Sequence, residues 1–107
     1  MVSGGDNFWA DLGVPAGRRP VCVITRDTAI SVLSAVTCAP LTRTIRAIAS
    51  EVDVGPTEGL PERCVISCDN LVTLPKAVLD ERPVGMLGPQ KLEELDVSLR
   101  SALDIQH

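Results

Sequence analysis

The sequence predicts a mainly β fold, a small antiparallel barrel or partly open sheet, closed by one C-terminal helix. Three observations predict it. Short apolar runs recur between turn-forming residues from Asn7 to Leu87. Several of these runs alternate, or are apolar on both faces. Only the stretch after Gly88-Pro89 carries helical periodicity over several turns.

Each element follows from its residues. Asn7 to Leu12 reads as the first strand, stopped by Gly13, and Pro15-Ala16-Gly17 as a turn. Pro20 to Thr25 is apolar on both faces, as a central strand would be, with Arg18-Arg19 immediately before it. Asp27 to Ser31 reads as a connection. Ser34 to Leu41 is another strand, and Pro40 near its end marks an edge or bulge. Ala49 to Val54 alternates, with Val52 and Val54 on one face and Glu51 and Asp53 on the other. Gly55 to Gly59 is a loop. Arg63 to Ser67 is a strand leading into Asp69-Asn70. Pro75 to Leu79 suits one helical turn begun by its proline, and Val84 to Leu87 a short last strand. In the helix that follows, Leu92, Leu95, Leu99, Ala102 and Leu103 form one stripe. Asp96 and Arg100, four apart, support it.

At 107 residues the chain is expected to be one domain over residues 1–107. Its 45% hydrophobic content and mean hydropathy of +0.21 argue against disorder. No apolar run approaches the ~20 residues that span a bilayer. Met1 to Asp6 lacks the basic start and apolar stretch of a signal peptide, so the expected compartment is the cytoplasm. Cys22, Cys38, Cys64 and Cys68 fit no common zinc spacing and read as reduced, buried thiols. The alternative is a Cys64–Cys68 pair, oxidised or metal-bound.

The net charge is −4, which counts against a generic nucleic-acid coat protein. The charge is uneven, however. Residues 1–46 hold five arginines (18, 19, 26, 43 and 46) against three aspartates, a net of +2. The remainder holds five basic against eleven acidic residues, a net of −6.

Several chemistries are hard to build from these residues. A Ser-His-Asp or Cys-His arrangement needs an internal histidine, and the sole histidine is His107. Clustered metal ligands are lacking, so no metal and no cofactor are expected. No glycine loop leads into a helix to cradle phosphate. With no tyrosine, one Phe and one Trp, there is no aromatic platform for successive bases.

Guanidinium and hydroxyl groups remain, and together they bind phosphate. If the strands around residues 20–25 and 34–41 are neighbours, Arg19 and Thr42 meet at one rim of the sheet. RNA suits such a pair. Its own 2′-hydroxyl can attack the adjacent phosphate, so the protein need only orient the attack, stabilise the phosphorane oxygens and move protons. A guanidinium stays protonated at neutral pH, which suits clamping rather than proton removal. Asp69, Glu51 or water could take the 2′-hydroxyl proton.

At this point the chain resembles the MazF/PemK family of toxin endoribonucleases. The resemblance runs through Gly5-Asp6 to Gly13, Arg18 to Asp27, Val36 to Arg46, Gly59 to Asn70, Leu79 to Leu87 and the helix to Ile105. Together these pieces cover nearly the whole chain, in order. The resemblance implies an SH3-like barrel with a C-terminal helix, assembled as a homodimer. It implies metal-independent, sequence-specific cleavage of single-stranded RNA to 2′,3′-cyclic phosphate and 5′-OH ends. It also implies a MazE-like cognate antitoxin that covers the RNA groove, and a role in inhibiting translation and growth. By position, the family's catalytic pair falls on Arg19 and Thr42. Asp69 and Asn70 match its groove-lining acidic-amide pair, and Arg18, Arg43 and Arg46 are expected to contact RNA. One departure is the short stretch from Val14 to Gly17, where the family often carries a longer loop. Two alternatives share the barrel: a gyrase poison like the CcdB toxins, and a binding module without catalysis. The CcdB toxins use a C-terminal tryptophan, and this chain ends Asp104-Ile105-Gln106-His107.

Overall fold

The largely buried β1 (Asp6–Asp11) and double-sided apolarity along β2 (Arg18–Val23) and β3 (Ala35–Thr42) build the centre of one antiparallel sheet. The computed structural model describes residues 4–13, 15, 17–25 and 27–105. Arg26, His107 and part of the Val14–Gly17 stretch therefore lie outside the described residues. The other elements are the one-turn helix α1 (Asp27–Ile30), β4 (Glu51–Val54), β5 (Cys64–Ser67), β6 (Val72–Pro75), β7 (Gly85–Met86) and α2 (Pro89–Leu103). Short 3₁₀ turns cover Pro56–Glu58 and Lys76–Val78. The strand order is β4-β5-β3-β2-β1-β7, with β6 also paired to β3. This is the curled, partly closed β sheet with a C-terminal helix that the sequence predicts.

The double role of β3 curls the sheet. Its first half, Ala35–Cys38, pairs with β6, and its end, Leu41–Thr42, pairs with β5. Ala39 and Pro40 fall in the gap between those two partners. The proline's missing N–H is thus tolerated inside a central strand rather than at an edge.

Two cores form on opposite faces because β2 and β3 are apolar on both. Cys22, Ala39 and Leu41 face one, with Val52, Ile66 and Leu95 of α2. Val21, Val23 and Cys38 face the other, with Phe8, Val36 and Leu74.

The structure corrects the expectations in several places. β2 begins at Arg18, so both arginines are strand residues rather than a preceding loop. The Leu12 N–H donates to the Gly17 carbonyl at 2.9 Å and closes the hairpin early enough to include them. Asp27–Ile30 is a helical turn rather than an open connection. Val72–Pro75 is a strand the sequence reading lacked. The turn starting at Pro75 is 3₁₀ and short. In α2, Leu95 is buried but Leu92 and Leu103 of the expected stripe are 40% and 55% exposed. The buried face is shifted onto Ser98, whose hydroxyl donates to the Glu51 carbonyl at 3.4 Å.

All four cysteines are free and buried. Burial pushes the Cys38 and Cys68 thiols up to about 11, the latter helped by Asp69. Burial raises Cys22 and Cys64 as well. The thiolate is the reactive form, so the native thiols are expected to react with a disulfide reagent at pH 8 at least ~100-fold more slowly than after unfolding. Fast labelling of the folded chain in a stopped-flow thiol titration would contradict this.

Gly85 and Gly59 let two backbones touch. A Cβ on Gly85 would collide with the Glu58 carbonyl oxygen, and backbone cannot move aside as a side chain can. Gly85→Ala is therefore expected to cost roughly 2–3 kcal/mol and lower Tm by about 10 °C or more. Gly88→Ala, where a Cβ meets nothing within 4 Å, is the control. It is expected to cost no more than ~1 kcal/mol.

Candidate active site

The hairpin places two guanidinium groups at the end of the sheet where β3 stops. Asp11 pairs with Arg18 and Ala10 with Arg19 across β1–β2. Across β2–β3, Val21 pairs with Pro40. The β2–β3 ladder stops there, and beyond it Arg19 and Thr42 lie toward the same end of the two strands.

Both residues line one cleft of about 330 Å³. Arg18 and Arg43 line it too, together with Trp9, Pro20, Leu41 and Leu60. Pro61, Glu62 and Cys64 complete it. Thr42 closes a local turn. Its Oγ1 accepts the Thr44 N–H at 3.1 Å, which leaves the hydroxyl proton to donate elsewhere.

The flanking arginines are paired to acids. Arg18 Nη2 lies 2.7 Å from Asp80 Oδ2, and the hydrogen bond and charge of Asp80 raise the guanidinium's pKa further. Arg43 Nη1 lies 3.2 Å from Glu62 Oε2 in an exposed pair. Exposed pairs contribute only about 0–1 kcal/mol, so a phosphate can displace the carboxylates at little cost.

Not every expected residue gathers here. Arg18, Arg19, Thr42 and Arg43 share the cleft; Arg46, Asp69 and Asn70 do not line it. Asp69 Oδ2 accepts a short bond from the Ser50 hydroxyl, and Asn70 Nδ2 donates to Ser67 Oγ at 2.9 Å. Both follow the far end of β5, whose Val65 pairs with Thr42. Arg46 Nη1 lies 4.0 Å from Glu51. Of the proton acceptors considered from sequence, Asp69 is therefore outside the cleft. Glu51, whose side chain is 3% exposed, is turned into a loop.

Sequence reasoning missed Trp9, Glu62 and Asp80. Trp9 had a signal, being one of two aromatics, and it supplies a single ring to the cleft. Asp80 had none, since it reaches Arg18 from 62 residues away. Among the described residues, no helix is long and apolar enough to cross a membrane.

This geometry has relatives. Residues 4–103 match the family model of PemK-like, MazF-like toxins of type II toxin–antitoxin systems. The chain is 38% identical over 89 residues to the probable endoribonuclease MazF2 of Mycobacterium tuberculosis, covering 82% of this chain and 86% of that one. Its fold superposes on the Mycobacterium tuberculosis toxin MazF-mt6 with a TM-score of 0.86 at 34% identity, covering 95% and 99% of the two chains. It superposes equally, at 0.86 and 25% identity, on an endoribonuclease in complex with its cognate antitoxin from a mycobacterial species, covering 100% and 99%. With a match over most of its length, the chain belongs to the PemK/MazF family and is a MazF-type endoribonuclease toxin of a toxin–antitoxin system.

Proposed function

We propose that the chain cleaves single-stranded RNA at a short sequence motif, without a metal ion, and thereby inhibits translation and growth. The observation that carries this reading is Arg19 and Thr42 lining one cleft together with Arg18 and Arg43. The scissile phosphate lies against Arg19 and Thr42. The 2′-hydroxyl attacks phosphorus in line, the P–O5′ bond breaks as the leaving 5′-oxygen takes a proton from solvent, and the products carry a 2′,3′-cyclic phosphate and a 5′-OH. Arg19 clamps the non-bridging oxygens with paired N–H bonds, and Thr42 donates its hydroxyl proton to one of them. Arg18 and Arg43 hold neighbouring phosphates after exchanging their carboxylate partners. Glu62, which lines the cleft, or solvent accepts the 2′-hydroxyl proton.

The reading extends to partners. A MazE-like antitoxin would cover this groove; one structural relative is an endoribonuclease in complex with its cognate antitoxin from a mycobacterial species. Exposed Met86, Val97 and Leu103 leave apolar surface for the second copy of a homodimer. Arg46, Asp69 and Asn70 would contact RNA beyond the cleft. Action on RNA in translation places the protein in the cytoplasm.

The test is incubation of a long single-stranded RNA with the purified chain in excess chelator, with both product ends mapped. Discrete cuts bearing cyclic phosphate and 5′-OH ends are expected. Uncut RNA from antitoxin-free protein would instead favour the gyrase-poison or binding-module reading, and a gyrase-cleavage assay would separate those two.

A further inference from the structure

Glu51 has an environment that Asp53, the exposed acid of β4, does not share. Its side chain is only 3% exposed. Oε1 accepts two consecutive backbone N–H groups, from Arg46 at 2.9 Å and from Ala47 at 3.1 Å. Ala47 has φ of +55°, a left-handed conformation that is strained for a non-glycine residue. Successive N–H groups turned onto one anion form a nest, normally an anion-binding concavity. Here the chain's own carboxylate fills it.

The clamp is anchored on one side and leads to the cleft on the other. The Glu51 N–H donates to the Ile48 carbonyl at 3.1 Å, and the Glu51 carbonyl accepts from Ser98 of α2. The preceding Ser50 accepts the Cys68 N–H at 3.0 Å. The base is therefore tied to β5 and to the helix. From Arg46 the loop runs back through Ile45 to Thr44, whose N–H donates to Thr42 Oγ1. Arg43, one residue earlier, lines the cleft.

We propose that Glu51 is a positioning residue: by clamping the loop at Arg46 and Ala47 it keeps the Thr44 N–H on Thr42 Oγ1, so that the Thr42 hydroxyl proton is left pointing into the cleft. This rests on the reading of Thr42 as a donor to the scissile phosphate. A carboxylate turned onto backbone amides in this way neither touches RNA nor moves a proton. Its effect passes through another residue, so it belongs in kcat and in the mobility of the loop.

The experiment compares wild type, Glu51→Ala, Glu51→Gln, Thr42→Val and the Thr42→Val/Glu51→Ala double variant. Each is the full chain, acting on an RNA oligonucleotide that carries a mapped cut site. Hydrogen exchange at the Thr44, Arg46 and Ala47 amides is followed in parallel. Glu51→Ala is expected to lower kcat about tenfold, shift KM by no more than about threefold, and speed exchange at Thr44 at least about tenfold. Glu51→Gln, whose amide oxygen still accepts both N–H groups, is expected to stay within about threefold of wild type. The double variant is expected to be no slower than Thr42→Val alone, because both changes disable one hydroxyl. Should Glu51→Ala not fold, Glu51→Asp takes its place. It keeps the charge but withdraws the carboxylate by one methylene.

Unchanged Thr44 exchange in Glu51→Ala, or multiplied losses in the double variant, would overturn the proposal while leaving Thr42's own role standing. Normal cleavage by Thr42→Val would overturn the Thr42 reading and this proposal with it. The exchange data would then still tell whether the clamp holds the loop.

Discussion

Arg19→Ala is expected to reduce RNA cleavage by about 100-fold or more, while the chain folds as before. Removing one preorganised donor to a developing oxyanion typically costs 10²–10³ in rate, or ~2.7–4 kcal/mol. The Arg19 side chain is exposed, at the cleft end of β2, and outside both cores. Its strand pairing to Ala10 is made by backbone, which alanine keeps. Arg19→Lys separates the two parts of the role. Lysine keeps the positive charge and loses the planar fork, so an intermediate loss of roughly tenfold is expected. Arg18→Ala is the comparison within the same cleft. Its guanidinium is already held by Asp80, so its loss should weaken RNA binding and lower the salt dependence more than it lowers kcat. Initial rates on the mapped RNA, beside thermal melts of each variant, check all three. Near-normal cleavage by Arg19→Ala with an unchanged melt would sink the site assignment.

The site was legible in the sequence to the extent that it depends on adjacent strands. Arg19 and Thr42 line one cleft because β2 and β3 pair antiparallel and place them toward the same end, and both strands announce themselves through apolar runs bounded by Gly, Pro and charge. The long helix was legible from its period. What the sequence hid was contact over distance. Asp80 and Glu62 are ordinary surface acids until the fold brings them to Arg18 and Arg43. β6 was hidden for a different reason. Val72 and Thr73 are exposed and Pro75 ends the strand, so the short run Val72-Thr73-Leu74-Pro75 shows neither clean alternation nor a buried block. It is a strand because the first half of β3 needs a partner on that side. Asp69 and Asn70 show the limit of position matching. They were matched by position alone, and their side chains bond to Ser50 and Ser67 outside the cleft. Glu51 shows the reverse. On an alternating strand it belongs to the solvent face, and only the left-handed turn at Ala47 brings backbone amides over to bury it.

Thr42→Val is expected to lower kcat about 30-fold, or ~2 kcal/mol, with a smaller change in KM. Valine matches threonine in shape and branching, so strand propensity and the pairing with Val65 are preserved. Two hydrogen-bonding functions go. One is donation to a phosphate oxygen, which strengthens as negative charge develops there and is therefore felt in the transition state. The other is acceptance of the Thr44 N–H, an exposed bond whose amide can turn to water, so its loss costs no more than ~1 kcal/mol of stability. Serine keeps both functions and lacks only the methyl group. If the hydroxyl is the working part, Thr42→Ser should retain cleavage to within about fivefold, since it gives up χ1 restriction and nothing else. If the residue serves only to end β3 and cap the following turn, the pattern changes. Valine would then lower Tm and leave kcat nearly intact at temperatures well below the transition. Single-turnover cleavage of the mapped oligonucleotide, at saturating and subsaturating enzyme, distinguishes the two patterns. A Val variant that cuts at the wild-type rate would assign Thr42 to the fold and leave the phosphate to the arginines alone.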